Sequence, residues 1–205
     1  EGSGTLESSG VLDMNDGKFV IAAGTVRSSG NFRLATVSGK TVNVEVAEGG
    51  TLYSGGVLAI GCGGTATLTV NGGTVYSSDN MVTGNNAIGS GTLTINSGTV
   101  EVASGKFLAL SANGTGTLNL NGGTLKTKCI KKTYGTSGML NFDGGTLQVN
   151  AEITAYLIEA LTGVNVKSGG GTIDVNGHNV KIAKTIEGAG AMTFKGGGTI
   201  TFSYN

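Results

Sequence analysis

The sequence predicts an all-β fold: a single-stranded parallel β-helix of about three short strands per rung and roughly eight rungs. Three observations predict it. The triplet Gly-Thr-(Leu/Val/Ile) recurs along the 205 residues, and nine copies, starting at Gly4, Gly24, Gly50, Gly73, Gly98, Gly123, Gly145, Gly171 and Gly198, follow one another at intervals of 20 to 27 residues. Such near-periodic self-similarity marks a solenoid, because each unit is too short to bury its own apolar face and must stack on its neighbours. Apolar residues within each unit alternate strictly, and proline is absent, which suits parallel strands whose amides must all donate to the next rung.

Each repeat opens on an alternating strand. Leu68/Val70, Leu93/Ile95, Leu118/Leu120 and Leu140/Phe142 fall at every second position with Thr or Asn between them, the period of a strand with one buried face. A corner follows at Asn71-Gly-Gly, Asn96-Ser-Gly, Asn121-Gly-Gly and Asp143-Gly-Gly, where glycine supplies positive φ and Asn or Asp bonds the local backbone. Asn-Gly between two strands is also a hairpin signal. Spacing decides against a hairpin, since a meander would repeat in about 8 to 12 residues. A third apolar run completes each interval instead: Val57–Ile60, Met81-Val82 with Ile88, Phe107–Leu110, Cys129-Ile130 and Val180–Ile182. Rungs about 4.8 Å apart give a rod of roughly 38 Å. One segment, Ala155–Leu161, breaks the alternation, and any helix is expected there.

Stacking places like residues above one another. Thr74, Thr99, Thr124, Thr146 and Thr172 share one phase, and Asn71, Asn96, Asn121 and Asp143 share another, so both columns are expected to form structural ladders along the axis. The residue after each triplet points outward, giving Arg27, Tyr53, Tyr76, Glu101, Lys126 and Gln148 in consecutive rungs. Tyr53 and Tyr76 would stack on the surface and are the candidate glycan contacts, and Glu101 beside Lys126 reads as a surface ion pair.

The register never breaks, so residues 1–205 form one β-solenoid domain. Thirteen basic and thirteen acidic residues leave no formal net charge, which argues against nucleic acid as a partner. The local cluster Lys126, Lys128, Lys131 and Lys132 reads as a solvated corner. No apolar run of about 18 residues is present, so this segment is not expected to insert into a membrane. Cys62 and Cys129 fall about three rungs apart, beyond disulfide reach, and are expected to stay unpaired. The chain opens at Glu1 inside a repeat, as an excised or mature part of a longer repeat protein would.

No catalytic, cofactor-binding or metal-binding set emerges. Asp13 and Asp16 form the tightest carboxylate pair, but their loop lacks the later acidic ligand of a calcium site. Arg27 and Arg33 are the only arginines, and His178, the only histidine, reads as a turn residue without companions. Glycine-rich stretches here open strands and lack the helix dipole that holds a phosphate.

Gly114 to Leu125, Leu161 to Gly177 and Ile186 to Phe202 resemble the autotransporter-associated β-strand repeats of bacterial surface and secreted proteins. That resemblance covers nearly the whole chain and implies a passenger-type stalk at the cell surface or outside the cell, with no catalytic set. The expected function is therefore a structural shaft or adhesin-like segment. Two alternatives stand beside it: a self-assembling fibre subunit that stacks through its open ends, and a β-helix that binds or degrades polysaccharide.

Overall fold

The computed structural model describes residues 4–203 and is all-β. A partial first rung holds β1 (Gly4–Ser8) and β2 (Leu12–Met14). Eight full turns follow. The first two are β3 (Gly17–Ile21), β4 (Gly24–Ser28) and β5 (Phe32–Leu34), then β6 (Thr41–Ala47), β7 (Gly50–Ser54) and β8 (Leu58–Ile60). In the next two, one long strand covers two sides: β9 (Thr65–Ser77) with β10 (Met81–Thr83), and β11 (Ser90–Val102) with β12 (Leu108–Ala109). Then come β13 (Thr115–Leu120), β14 (Thr124–Thr127) and β15 (Ile130–Lys131), and β16 (Ser137–Phe142), β17 (Thr146–Val149) and β18 (Ile158–Glu159). The last two turns are β19 (Gly163–Val166), β20 (Gly171–Asp174) and β21 (Val180–Ile182), and β22 (Glu187–Gly188), β23 (Met192–Lys195) and β24 (Ile200–Phe202).

Every strand pairs in parallel with its counterpart one turn away. The third side is a nine-stranded sheet from β2 to β24, while the first and second sides merge through β9 and β11 into fifteen strands. Val44, Leu68, Leu93, Leu118, Leu140 and Val164 form one inward column, each in register with the next and each nearly or fully buried. A second column, Leu52, Val75, Val100, Leu125, Leu147 and Ile173, lines the other inner wall. Nine threonines from Thr5 to Thr193 stack just outside that wall.

The corner glycines take positive φ as expected, but the corner Asn and Asp side chains bond neighbouring rungs rather than the local backbone, and β9 and β11 run straight through the corner. Gly72 and Gly98 take positive φ of 98° and 84° inside a continuous strand. At Gly98 an added Cβ would also lie 2.3 Å from the Gly73 carbonyl oxygen, so glycine is required there twice over.

Three expectations are corrected. No helix forms over 155–161; Leu157 and Ile158 are fully buried, and Ile158 pairs with Ile130 and Ile182. The broken alternation reflects two adjacent inward residues where the chain enters β18. Ile88 is 68% exposed in the loop before β11 rather than part of the third side. Finally, the triplet at Gly198 is out of phase. Met192–Lys195 takes the place below Gly171–Asp174, and Ile200 joins the third side against Val180.

Candidate functional site

The expected asparagine ladder exists, and it has a direction. Asn121 Nδ2 donates to Asn96 Oδ1 (2.9 Å), Asn96 Nδ2 to Asn71 Oδ1 (2.8 Å), and Asn71 Nδ2 to Glu45 Oε1 (2.8 Å). Each amide donates toward the N-terminal end. A carboxylate accepts but has no hydrogen to give, so Glu45 terminates the receiving end. Asp143 cannot feed the other end, and it departs from the expected ladder. Its Oδ1 instead accepts from the Gly169 amide at 2.9 Å. A parallel ladder escaped the sequence reading: Asn165 to Asn141 (3.0 Å), Asn141 to Asn119 (2.9 Å) and Asn119 to Thr94 Oγ1 (3.2 Å). Its signal was the asparagine between the two inward residues of β13, β16 and β19.

Buried hydroxyls finish another corner. Ser28, Ser54 and Ser77 are fully buried. Ser54 Oγ accepts from the Phe32 amide and Ser77 Oγ from the Leu58 amide, both at 3.2 Å, in addition to the Val57 and Asn80 carbonyls to which the same amides donate, so the buried hydroxyls find their own partners where the second side gives way to the third.

Tyr53 and Tyr76 meet as expected, with ring centroids 5.3 Å apart and planes 13° from parallel. The Arg27 guanidinium lies 4.4 Å from the Tyr53 centroid on this outward column. Neighbouring side chains thus occupy both faces of Tyr53, leaving ring edges to meet a sugar. Glu101 pairs with Lys126 at 3.8 Å. Of the other lysines of that cluster, Lys131 Nζ sits 3.9 Å from the Phe107 centroid and Lys132 Nζ donates to the Gly135 carbonyl, while Lys128 and Lys131 line one surface depression beside Phe107.

The other candidate groups are engaged individually. Asp13 accepts both Nε and Nη2 of Arg33 at 2.7 Å, and Asp16 pairs with Lys40 at 2.8 Å. Lys40 holds the Asp16 carboxyl below its ordinary range, and Lys106, 2.8 Å from Asp79, does the same there. His178 Nδ1 lies 3.1 Å from Glu152 Oε2, a partner the sequence did not suggest. Among the described residues no group of three or more His, Cys, Asp or Glu could hold a metal ion. Cys62 and Cys129 are free thiols; burial pushes Cys62 up to about 11 and raises Cys129 as well.

The outer face of the nine-stranded sheet carries a groove of about 360 Å³. Ala59, Val82 and Ala109 make a low floor, and Asn31, Asn80 and Phe107 stand beside it. Small floor residues at successive rungs produce the depression. Sequence reasoning missed it because Ala59 and Ala109 sit inside apolar runs that read as core.

The chain matches no protein-family model, no curated protein and no solved structure.

Proposed function

We propose that the chain is a structural β-solenoid, a rigid shaft or adhesin-like segment of a bacterial surface or secreted protein. The observation that carries this reading is the single unbroken core. One hydrophobic cluster runs from Met14 to Ile182, braced outside by two directional amide ladders. Neighbouring turns cannot rotate or slide independently without breaking register on all three sides at once. The reading assigns no catalysis, and the one-to-one pairing of Asp13, Asp16 and Asp79 with basic side chains supports that. Antibody raised against the chain should label intact bacterial cells or their culture medium, and protease added to intact cells should remove the cell-bound signal. Signal confined to the cytoplasm would refute the surface role.

A second reading, polysaccharide binding, is favoured by the groove over Ala59, Val82 and Ala109, whose amide and aromatic rim suits a linear sugar chain. On a glycan array, Ala109→Arg should abolish binding by filling the floor. Replacing Tyr53 and Tyr76 with Ser tests the tyrosine face in the same experiment. Absence of binding by the parent chain would remove this reading.

A further inference from the structure

The groove over Ala59, Val82 and Ala109 does not end at Phe107. A second depression of about 300 Å³ continues from that ring toward the later turns, and Lys128, Cys129, Lys131, Tyr156 and Glu159 line it. Phe107 is common to both. The outward column Arg33, Ala59, Val82, Ala109, Lys131 and Glu159 runs in register along the whole length. One groove therefore follows the axis over six rungs, about 24 Å.

Its two halves differ in chemistry. In the first, Asn31 Oδ1 accepts from the Val57 amide at 2.9 Å and Asn80 Oδ1 from the Phe107 amide at 3.0 Å. With the oxygens held on backbone, the Nδ2 groups are left as donors two rungs, or about 10 Å, apart. The second half is basic. Lys128 and Lys131 are half-buried there, and both act on the same Cys129 thiol. Among the described residues neither ammonium has an ion-pair partner, although Glu159 lines the same depression. Lys131 Nζ rests instead over the Phe107 ring, which holds the charge without cancelling it. Arg33, at the far end, is neutralised by Asp13.

We propose that this groove binds a linear acidic polysaccharide lengthwise, with neutral units over the floor within reach of Asn31 and Asn80 and the carboxylate of an acidic unit on Lys128 and Lys131. This deepens the polysaccharide reading, on which it rests, by naming the charge of the chain. A peptide finds no edge here, because the strands of this sheet cross the groove and pair with one another, leaving no backbone for strand addition. A nucleic acid is mismatched in charge: one strand carries a phosphate about every 3.4 Å, about seven over the groove, against two unpaired lysines confined to one half. A polysaccharide with acidic units set among neutral ones matches that distribution, and its ring faces suit Phe107 and Tyr156.

The test is calorimetric binding of the chain to oligosaccharides of hyaluronan and of polygalacturonate, to their carboxyl-reduced forms, and to oligo-dT of matching length. At least one acidic glycan should bind about tenfold or more tightly than its carboxyl-reduced form. Lys128→Ala and Lys131→Ala, each confirmed folded by circular dichroism, should weaken that binding about three- to tenfold, between the ranges of an exposed ion pair and a charged hydrogen bond. Lys128→Arg should retain it. Glu159→Gln removes the one opposing carboxylate and should strengthen binding about two- to fivefold, a gain that a disturbed fold would not produce. Ala109→Phe fills the floor without changing charge and should abolish binding. Reduced forms that bind as tightly as the acidic ones, with Ala109→Phe still blocking, would overturn the acidic ligand and leave the polysaccharide reading standing. No binding to any of these glycans would remove both. Lysine variants that bind as the parent does, or oligo-dT that binds more tightly than every acidic glycan, would also overturn the proposal.

Discussion

Replacing Asn71 with Asp probes the ladder's direction most sharply. Asn71 Nδ2 donates to Glu45 Oε1 at 2.8 Å while its Oδ1 accepts from Asn96. Aspartate keeps the accepting role but loses the donating one, at a net cost of about 1 kcal/mol, and sets two carboxylates in contact. At about 4 Å their repulsion is about 1 kcal/mol in a water-like medium and about 4 kcal/mol at the effective dielectric of a protein surface. The sum is a loss of roughly 2 to 5 kcal/mol near neutral pH. Asn71→Ala loses both hydrogen bonds but adds no repulsion, about 1 to 3 kcal/mol. The two variants differ in pH dependence. Facing carboxylates bind their first proton more tightly in the folded chain than in the unfolded one, so the folded pKa is raised. Stability relative to the parent is therefore lost as pH rises through that raised value and regained as pH falls toward about 4. Urea unfolding followed by circular dichroism, with parent and variants compared at each pH, measures this. An Asn71→Asp deficit that stays constant from neutral to acid pH would refute the directional ladder.

Leu118→Ala, in the fully buried column with Leu93 and Leu140, should cost about 2 to 5 kcal/mol in the same assay; a loss under about 1 kcal/mol would contradict the packing described. Gly98→Ala should destabilise by more than about 1 kcal/mol through its positive φ and the Gly73 contact, and an unchanged unfolding midpoint would argue against the continuous corner. Thiol labelling of Cys62 in the folded chain should remain slow well above neutral pH, consistent with its value of about 11, and non-reducing mass analysis should find no bridge to Cys129. In an NMR titration Asp79 should protonate below the usual carboxylate range, and Lys106→Ala should bring it back up.

Much of the fold was legible because β-helix geometry repeats. Strict alternation at Leu68/Val70 and Leu93/Ile95 fixes which face is inside, and a period near 25 residues fixes how many sides close a turn. The same reasoning failed where local sequence resembles the repeat but sits in another phase. Gly198-Thr-Ile has the motif but lies on the third side, because Met192–Lys195 already fills its slot. Over 155–161, two neighbouring buried residues mimicked a helical pattern. Of the candidate sites, the Tyr53–Tyr76 stack and the Asn71–Asn96–Asn121 column could be read from phase alone. The failure at Asp143 depends on which way hydrogen bonds run, and a column of residue types carries no direction. The groove depends on depth, which emerges only when Ala59, Val82 and Ala109 stack between taller neighbours.

Distances along one outward column measure whether the turns stack as a rigid rod. With Cys62 and Cys129 replaced by Ala, paired spin labels at Arg27 and Glu101, Arg27 and Gln148, and Arg27 and Asp174 span three, five and six rungs. Pulsed electron resonance should find backbone separations growing linearly, about 14, 24 and 29 Å, with narrow distributions set by the labels alone. Separations that fail to grow with rung number, or that broaden steadily along the column, would contradict a rigid parallel solenoid.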